Sequence, residues 1–353
     1  MITIAFLVCE NGFGHFKRCA KISNGLVVLR DDIFIKFFCE REIIQKQIDW
    51  DITQKIINNP RIQIIDSGKT VSLKKDNKSH GESFLIGDLE WLDEELIKNS
   101  DIVISDNITK ILKIRPDSIL MGSFLWEDLI KDYTHTSNKL KCYYNSNMNL
   151  LRTHKPTMIT LKDMTMPFVI ENTVPFYTSW VAEKYEHKRK KIIKNVLIMG
   201  GGTGMADDEI LSIVREVSVC NQLNVFTSKT LAKKVNSEKI SMFDFSHKSF
   251  SQIDLMICRP GIGSLTDAVT YGIPVFAIGE SNNIEIQFNL KQIEKLNIGR
   301  NIVGKASQMI SEINSIQENG DYHMFQKNLK SMGRNGLNEI INYINNRINT
   351  ING

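Results

Sequence analysis

At 353 residues the chain exceeds the usual size of a single core and is expected to form two domains. An apolar fraction of 42%, a charged fraction of 24% and a net charge of +4 are ordinary for a globular protein and give no argument for nucleic acid as a partner. In chain order, Met1 to Val8 is apolar, lacks a basic leader and runs into a glycine turn, so it is expected to be a first strand and not a signal peptide. Gly14 onward reads as helix. Ile33–Cys39, Ile62–Ile65, Ile102–Ser105 and Ile119–Met121 read as strands, with polar helical segments around Glu42–Gln47 and Leu89–Lys98 between them. Unbroken apolar strands alternating with helices predict a parallel sheet covered on both faces.

Pro156, Pro167 and Pro175 punctuate the span up to Lys194, which reads as the last strands of a first domain and a linker. The basic cluster His187-Lys188-Arg189-Lys190-Lys191 near its end is either a solvated hinge or a contact for phosphate or anionic lipid. A second strand–helix series follows: strands at Val196–Met199, Leu223–Phe226, Ile253–Ile257 and Val275–Ile278, helices at Asp208–Val217, Thr266–Tyr271 and Ile284–Leu296. Leu337, Ile340, Ile341, Ile344 and Ile348 have helical spacing and predict an amphipathic terminal helix whose apolar face needs a partner. The expected division is residues 1–170, a linker over 171–194, a second domain over 195–335 and the terminal helix over 336–353. The fold class is α/β, two doubly wound halves with a cleft between them. Six cysteines show no CxxC and no zinc-like spacing, and read as small core residues in a reducing compartment. No run of about 18 apolar residues occurs, so no membrane span is expected and the expected location is cytoplasmic.

Three glycine loops carry the candidate chemistry. The first, Asn11 to Arg18, contains Gly12 and Gly14, which let the backbone turn sharply beside a ligand, and Arg18 is expected with them among the substrate-binding residues. His15 then opens a helix at the carboxyl ends of the strands, where open α/β sheets bind ligands. The positive end of the helix disfavours imidazolium, so His15 is expected neutral and able to take a proton; a capping His in a tight turn is the plainer alternative. Asp106 follows a buried strand and is the second catalytic candidate. The second loop, Met199 to Gly204, offers the amides of Gly201 and Gly202 and the Thr203 hydroxyl to phosphate, but lacks the P-loop Lys. The third runs Cys258-Arg259-Pro260-Gly261-Ile262-Gly263-Ser264-Leu265-Thr266-Asp267. A strand, a glycine turn and a helix start there present free N–H groups to a diphosphate, with a carboxylate one turn on for ribose hydroxyls. Glu285 and Asn289 lie four apart on one helix face, placed to grip sugar hydroxyls or merely solvated. Asp49-Trp50-Asp51 matches a metal-holding DxD pattern superficially but follows no clear strand, and chance explains it. Gly122 to Trp126 either shapes an acceptor pocket or packs in the core.

Taken together these residues resemble the GT-B glycosyltransferases, most nearly the branch containing the lipid II N-acetylglucosaminyltransferases. The carriers are Gly12-x-Gly14-His15-x-x-Arg18, the loop at 200–204, Arg259 to Asp267 with Gly272-Ile273-Pro274, and Glu285-x-x-x-Asn289. The resemblance implies two Rossmann-like domains, the first for the acceptor and the second for the donor, with the terminal helix packing back on the first. It implies a UDP-linked hexose or N-acetylhexosamine as donor and a glycan or lipid-linked hydroxyl as acceptor, with inversion, no metal, no cofactor, and a protein peripheral to the inner membrane face. Gly263 and Ser264 would meet the diphosphate, Asp267 the ribose, and Glu285 with Asn289 the sugar. His15 would face the acceptor. Asp267 stands where Glu is commoner, and Ile286 stands where Gln is usual, which bears on the donor sugar. The run Gly14 to Cys19 also resembles nucleotide-sugar hydrolases of nonulosonic acid synthesis, in which water is the acceptor. A non-catalytic nucleotide-sugar binding protein is the third reading.

Overall fold

In the first half the continuous apolar runs pair as parallel strands, which is the arrangement that buries both faces of each. The computed structural model describes residues 1–67, 71–75, 82–86, 94–183, 185, 191–200, 207–235, 237–279, 283–302 and 304–352. Strands β1 (Ile2–Leu7), β2 (Ile33–Cys39), β3 (Ile62–Asp66), β6 (Ile102–Asp106), β7 (Ile119–Met121), β8 (Thr157–Leu161) and β9 (Val174–Thr178) form one sheet in the order β3-β2-β1-β6-β7-β8-β9. Between β3 and β6, β4 (Val71–Lys75) and β5 (Glu82–Ile86) make a separate antiparallel pair. Every pairing in the seven-stranded sheet is parallel. The chain winds outward from β1 in one direction and from β6 in the other, so β1 and β6 flank the switch point of the sheet. Their register sets Leu7 against Ser105, which brings Asp106 level with the first glycine loop.

The second sheet repeats this plan with β10 (Asn195–Met199), β11 (Asn224–Thr227), β12 (Ile240–Met242), β13 (Leu255–Cys258), β14 (Val275–Ala277) and β15 (Gly299–Asn301). Their order is β12-β11-β10-β13-β14-β15, all parallel, with the switch point between β10 and β13. Met199 pairs with Cys258, so the loops leaving these two strands start side by side.

The chain divides into two units, Met1–Val181 with Asn335–Gly353, and Ala182–Arg334. The connector expected over 171–194 therefore begins later. Pro167–Asn172 is a helix and Val174–Thr178 a full strand on β8, held by five paired positions. The expected helix at Leu89–Lys98 is formed over Glu94–Lys98, and residues 87–93 lie outside the described residues. The helix Asn138–His154 was not legible as such, its apolar positions being few among polar ones.

The terminal helix Gly336–Asn352 buries Ile340, Ile341, Ile344 and Ile348 in the core of the first unit, with Phe16, Ile22, Leu26 and the β1–β2 residues Phe6 and Phe37. Polar bonds set its place at both ends. Glu339 accepts from the Ser179 N–H (2.6 Å) and hydroxyl (2.9 Å), and Arg30 donates to Asn345 (2.8 Å) and Asn349 (2.7 Å). The second unit has its own core, from Val196 and Ile198 through Leu255 and Ile257 to Phe276, Tyr322 and Phe325. Among the described residues no helix is long and apolar enough to cross a membrane.

Candidate active site

The first loop turns at Gly12, whose φ of 90° a side chain rarely adopts, and the helix Phe13–Leu29 starts at once. This puts His15, Arg18 and Cys19 on one helical face over the end of β6. His15 Nδ1 lies 2.7 Å from Asp106 Oδ1. Arg18 Nη2 donates to both carboxylate oxygens, at 2.7 and 2.8 Å, and Cys19 Sγ donates to Oδ2 at 3.3 Å. Asp106 has no solvent exposure, whereas the His15 and Arg18 side chains keep 15% and 17%. Burial pushes the Asp106 carboxyl up, but the Arg18 charge beside it, with His15 and their hydrogen bonds, brings it below the usual carboxylate range. An ionised carboxylate accepts, so a neutral His15 carries its proton on Nδ1 and leaves the Nε2 lone pair available.

The next turn of chain supports this arrangement. Asn107 has a φ of 58°, its N–H bonds Met121 O at 3.0 Å, and its side-chain amide, turned nitrogen-inward, donates to Met121 O (2.8 Å) and Phe124 O (3.2 Å). Gly122, at φ 150°, gives that amide room, since a Cβ there would fall 1.6 Å from it. Phe124 thereby stands edge-on to the His15 ring, 6.3 Å between centroids, and packs edge-on against Trp126. Phe124, Leu125 and Trp126 are buried, so of the two readings of this segment the core-packing one describes them.

Glu127, the next residue, is a buried carboxylate that the sequence did not single out. It has no exposure, and accepts from Asn147 Nδ2 at 2.7 Å and Thr109 Oγ1 at 3.1 Å. Burial raises its carboxyl above the usual range, only partly opposed by these bonds. A raised folded-state value means the native state holds the proton after the unfolded chain has released it, so stability falls as pH rises above about 4.3. Glu127→Gln keeps an acceptor for Asn147, and its NH₂ can donate to the Thr109 hydroxyl. We expect the variant to melt higher than wild type at pH 7.5, with the difference shrinking toward pH 4. A lower melting temperature at pH 7.5 would show that the ionised form is the stabilising one.

In the second unit, β13 ends at Cys258 and the helix Ile262–Tyr271 begins after Arg259-Pro260-Gly261. Among the described residues no side chain caps this helix, and none lies within 4 Å of where a Gly261 side chain would start. The first-turn amides of Ile262, Gly263 and Ser264 are ones that no helix can satisfy internally. Arg259 is buried at 8% exposure, and Asp267, one turn into the helix, is half-buried. Asn289 is buried and donates from Nδ2 to Pro260 O at 2.8 Å. The helix Ile284–Leu296 thereby holds the turn from behind, and Asn289 is neither solvated nor turned with its amide nitrogen to a ligand. Glu285 sits half-buried in the first turn of that helix, which Asn283 caps through the Ile286 N–H at 3.2 Å. Gly201, Gly202 and Thr203 lie outside the described residues.

The residues expected from sequence thus gather in two places. Gly12, Gly14, His15, Arg18 and Asp106 meet at the switch point of the first sheet, whereas Arg259, Gly261, Gly263, Ser264 and Asp267 follow the end of β13 beside that of the second, where Asn289 is bonded to Pro260 and Glu285 opens the helix that carries Asn289. Arg18, expected among the substrate-binding residues, turns Nη2 to Asp106. Cys19 was missed, although its spacing of four from His15 places it on the same face. Asp49 and Asp51 form no metal cluster: Asp51 pairs with Lys55 at 2.7 Å, and no group of three or more potential ligands occurs among the described residues.

No protein-family profile and no curated protein sequence matches the chain. Solved structures do. The glycosyltransferase of kitacinnamycin superposes with a TM-score of 0.62 at 10% identity, covering 98% of each chain. MurG of Acinetobacter baumannii gives 0.58 at 12% identity over 98% of this chain and 99% of that one. Medicago truncatula UGT71G1, solved with UDP-glucose, gives 0.61 at 13% identity over 97% and 98%. At such identities the likeness is one of fold, and the fold is GT-B, two units each built on a doubly wound parallel sheet.

Proposed function

We propose that this chain, built on the fold of the nucleotide-sugar glycosyltransferases, transfers a sugar from a nucleotide sugar to an acceptor hydroxyl. The observation that carries the reading is the 2.7 Å bond from His15 Nδ1 to the buried Asp106. It holds the imidazole in the tautomer whose Nε2 can take a proton. In the proposed step the acceptor O–H gives its proton to Nε2 as its oxygen bonds the anomeric carbon. The bond from that carbon to the diphosphate breaks, and the electron pair leaves with the nucleoside diphosphate. A single displacement of this kind inverts the anomeric centre.

The uncapped helix start at Gly261–Ser264 and the Arg259 guanidinium would offset the charge on the departing diphosphate. Asp267 would take the ribose hydroxyls and Glu285 the sugar. Asn289 supports the Pro260 turn in this scheme. The Medicago truncatula relative solved with UDP-glucose favours a uridine nucleotide and a hexose donor. The resemblance of the glycine loops to the lipid II N-acetylglucosaminyltransferases favours an N-acetylhexosamine and a lipid-linked acceptor, which would bring the protein to a membrane surface without a spanning helix. The scheme assigns no metal and no cofactor.

Water could replace the acceptor at the same base, and the Gly14–Cys19 run that surrounds Asp106 is the segment resembling the hydrolases. One experiment addresses both. The protein is melted with UDP, CDP, dTDP, GDP, UDP-glucose and UDP-N-acetylglucosamine, and the sugars that raise the melting temperature are then incubated without acceptor. We expect a rise with uridine nucleotides and only slow release of free sugar. Stoichiometric release at many turnovers per minute assigns hydrolysis instead. The absence of a rise with every uridine and cytidine nucleotide overturns the donor reading.

A further inference from the structure

We propose that Arg18 is a positioning residue for His15: its guanidinium pairs the charge of Asp106, so that the carboxylate orients the imidazole without drawing a second proton onto it. This rests on the reading of His15 as the base. A buried, unpaired carboxylate bonded to Nδ1 would favour imidazolium, and imidazolium has no lone pair with which to accept. The structure avoids that state by geometry. Arg18 Nη2 reaches Oδ1 at 2.7 Å and Oδ2 at 2.8 Å, and stands 3.5 Å from His15 Nδ1 itself. The cation therefore opposes a positive imidazole both directly and by cancelling the anion beneath it. Spacing of three along one helix supplies base and cation from the same rigid element.

The titratable and charged groups around the cluster support this assignment. From the helix come Arg18 and Cys19, from β6 Asp106, from the end of β1 Cys9, with Glu10 beyond it, and from β2 Cys39. Burial pushes the Cys9 thiol up to about 12 and the Cys19 and Cys39 thiols well above their ordinary value, so none adds charge near neutral pH. Phe124, 6.3 Å from the ring between centroids, brings no charge. Among the described residues, Asp106 and Arg18 are the charged groups whose bonds within the cluster are seen, and they are present as a pair.

The test reads His15 directly, in full-length protein labelled with ¹⁵N at histidine, with the His15 signals assigned by their loss in His15→Gln. Tautomer and protonation are followed from pH 5 to 9. In wild type we expect the Nδ1–H tautomer at pH 7.5. In Arg18→Gln the imidazolium signal should persist to a pH higher by about one unit, and Arg18→Lys should return toward wild type. If Arg18→Gln does not fold, Asp106→Asn compared with Arg18→Gln/Asp106→Asn measures the same cation with no buried carboxylate left unpaired. Loss of Arg18 should again move the imidazolium signal to higher pH. An unchanged profile in either comparison overturns the proposal and leaves the base reading standing. Turnover retained by His15→Ala would instead remove the base reading and leave these profiles as they are.

Discussion

His15→Ala is expected to lower turnover about 10²- to 10⁴-fold, the range that a positioned proton acceptor contributes, while leaving the affinity for a nucleoside diphosphate unchanged. The two effects separate because His15 and the uncapped helix start at Gly261–Ser264 belong to different units of the chain. His15 makes its resolved side-chain bond to Asp106, keeps 15% exposure and packs edge-on to Phe124. Truncation removes one of the three side-chain donors to Asp106 and leaves Arg18 and Cys19 in place, so the fold should survive at a cost of about 1–3 kcal/mol. Calorimetric titration with UDP, run beside steady-state rates, checks both halves of the expectation. Wild-type turnover in the variant excludes His15 from proton transfer. Loss of UDP binding together with turnover would mean that the mutation acts through structure.

Asp106→Asn should have the largest effect on stability. The carboxylate accepts from three side chains, and an amide can present only one oxygen to them. If the amide nitrogen takes the Oδ1 position it faces His15 and Arg18; in the Oδ2 position it faces Arg18 and Cys19. Either way a donor meets a donor, and the Arg18 charge loses its partner. Breaking a buried pair in this manner costs about 3–5 kcal/mol, and the lower end applies because Arg18 keeps some contact with solvent. The sign with pH follows from the depressed carboxyl. As pH falls, the unfolded chain takes up the proton first, near 3.9, so wild type holds the stabilisation fully above that value. It loses it as pH drops further, through the folded-state value. The gap between wild type and Asp106→Asn in urea unfolding should accordingly be wide at pH 7 and narrow below about pH 4. Turnover should fall as in His15→Ala, because His15 facing an amide nitrogen shifts its proton to Nε2. A variant as stable as wild type at pH 7 would show that the buried charge pair contributes nothing net.

Much of the architecture was legible because its signals are local. Ile33–Cys39, Ile119–Met121 and Ile284–Leu296 run as read, and Ile102–Ser105 extends by one residue to Asp106. A strand buried on both faces must be apolar at every position, and that requirement is written in consecutive residues. The boundary near 171–194 was less legible, since Pro175 suggests a linker, yet β9 is an edge strand where a proline is tolerated. Glu127 escaped notice because a carboxylate in the first turn of a helix is ordinarily solvated; only the arrival of Asn147 and Thr109 makes it interior. Asn289 has a contact that no local pattern announces. Its spacing from Glu285 suggested a sugar contact, and the bond from its amide nitrogen to Pro260 O joins residues 29 apart in the chain.

The sequence alone determined the two strand–helix series, the glycine turns after β1 and β13, the apolar face of the terminal helix, and the candidacy of His15 and Asp106. Each of these is set by residues within one or two turns of one another, through periodicity, backbone freedom and the end of a buried strand. The tertiary structure decided what those residues do to each other. That His15 and Asp106 meet, that Arg18 lies on the carboxylate and Cys19 beside it, follows from winding 88 residues of chain so that β1 and β6 become neighbours. No local pattern encodes such a meeting. A guanidinium can satisfy any acceptor within reach, and which acceptor is within reach is a property of the packed sheet.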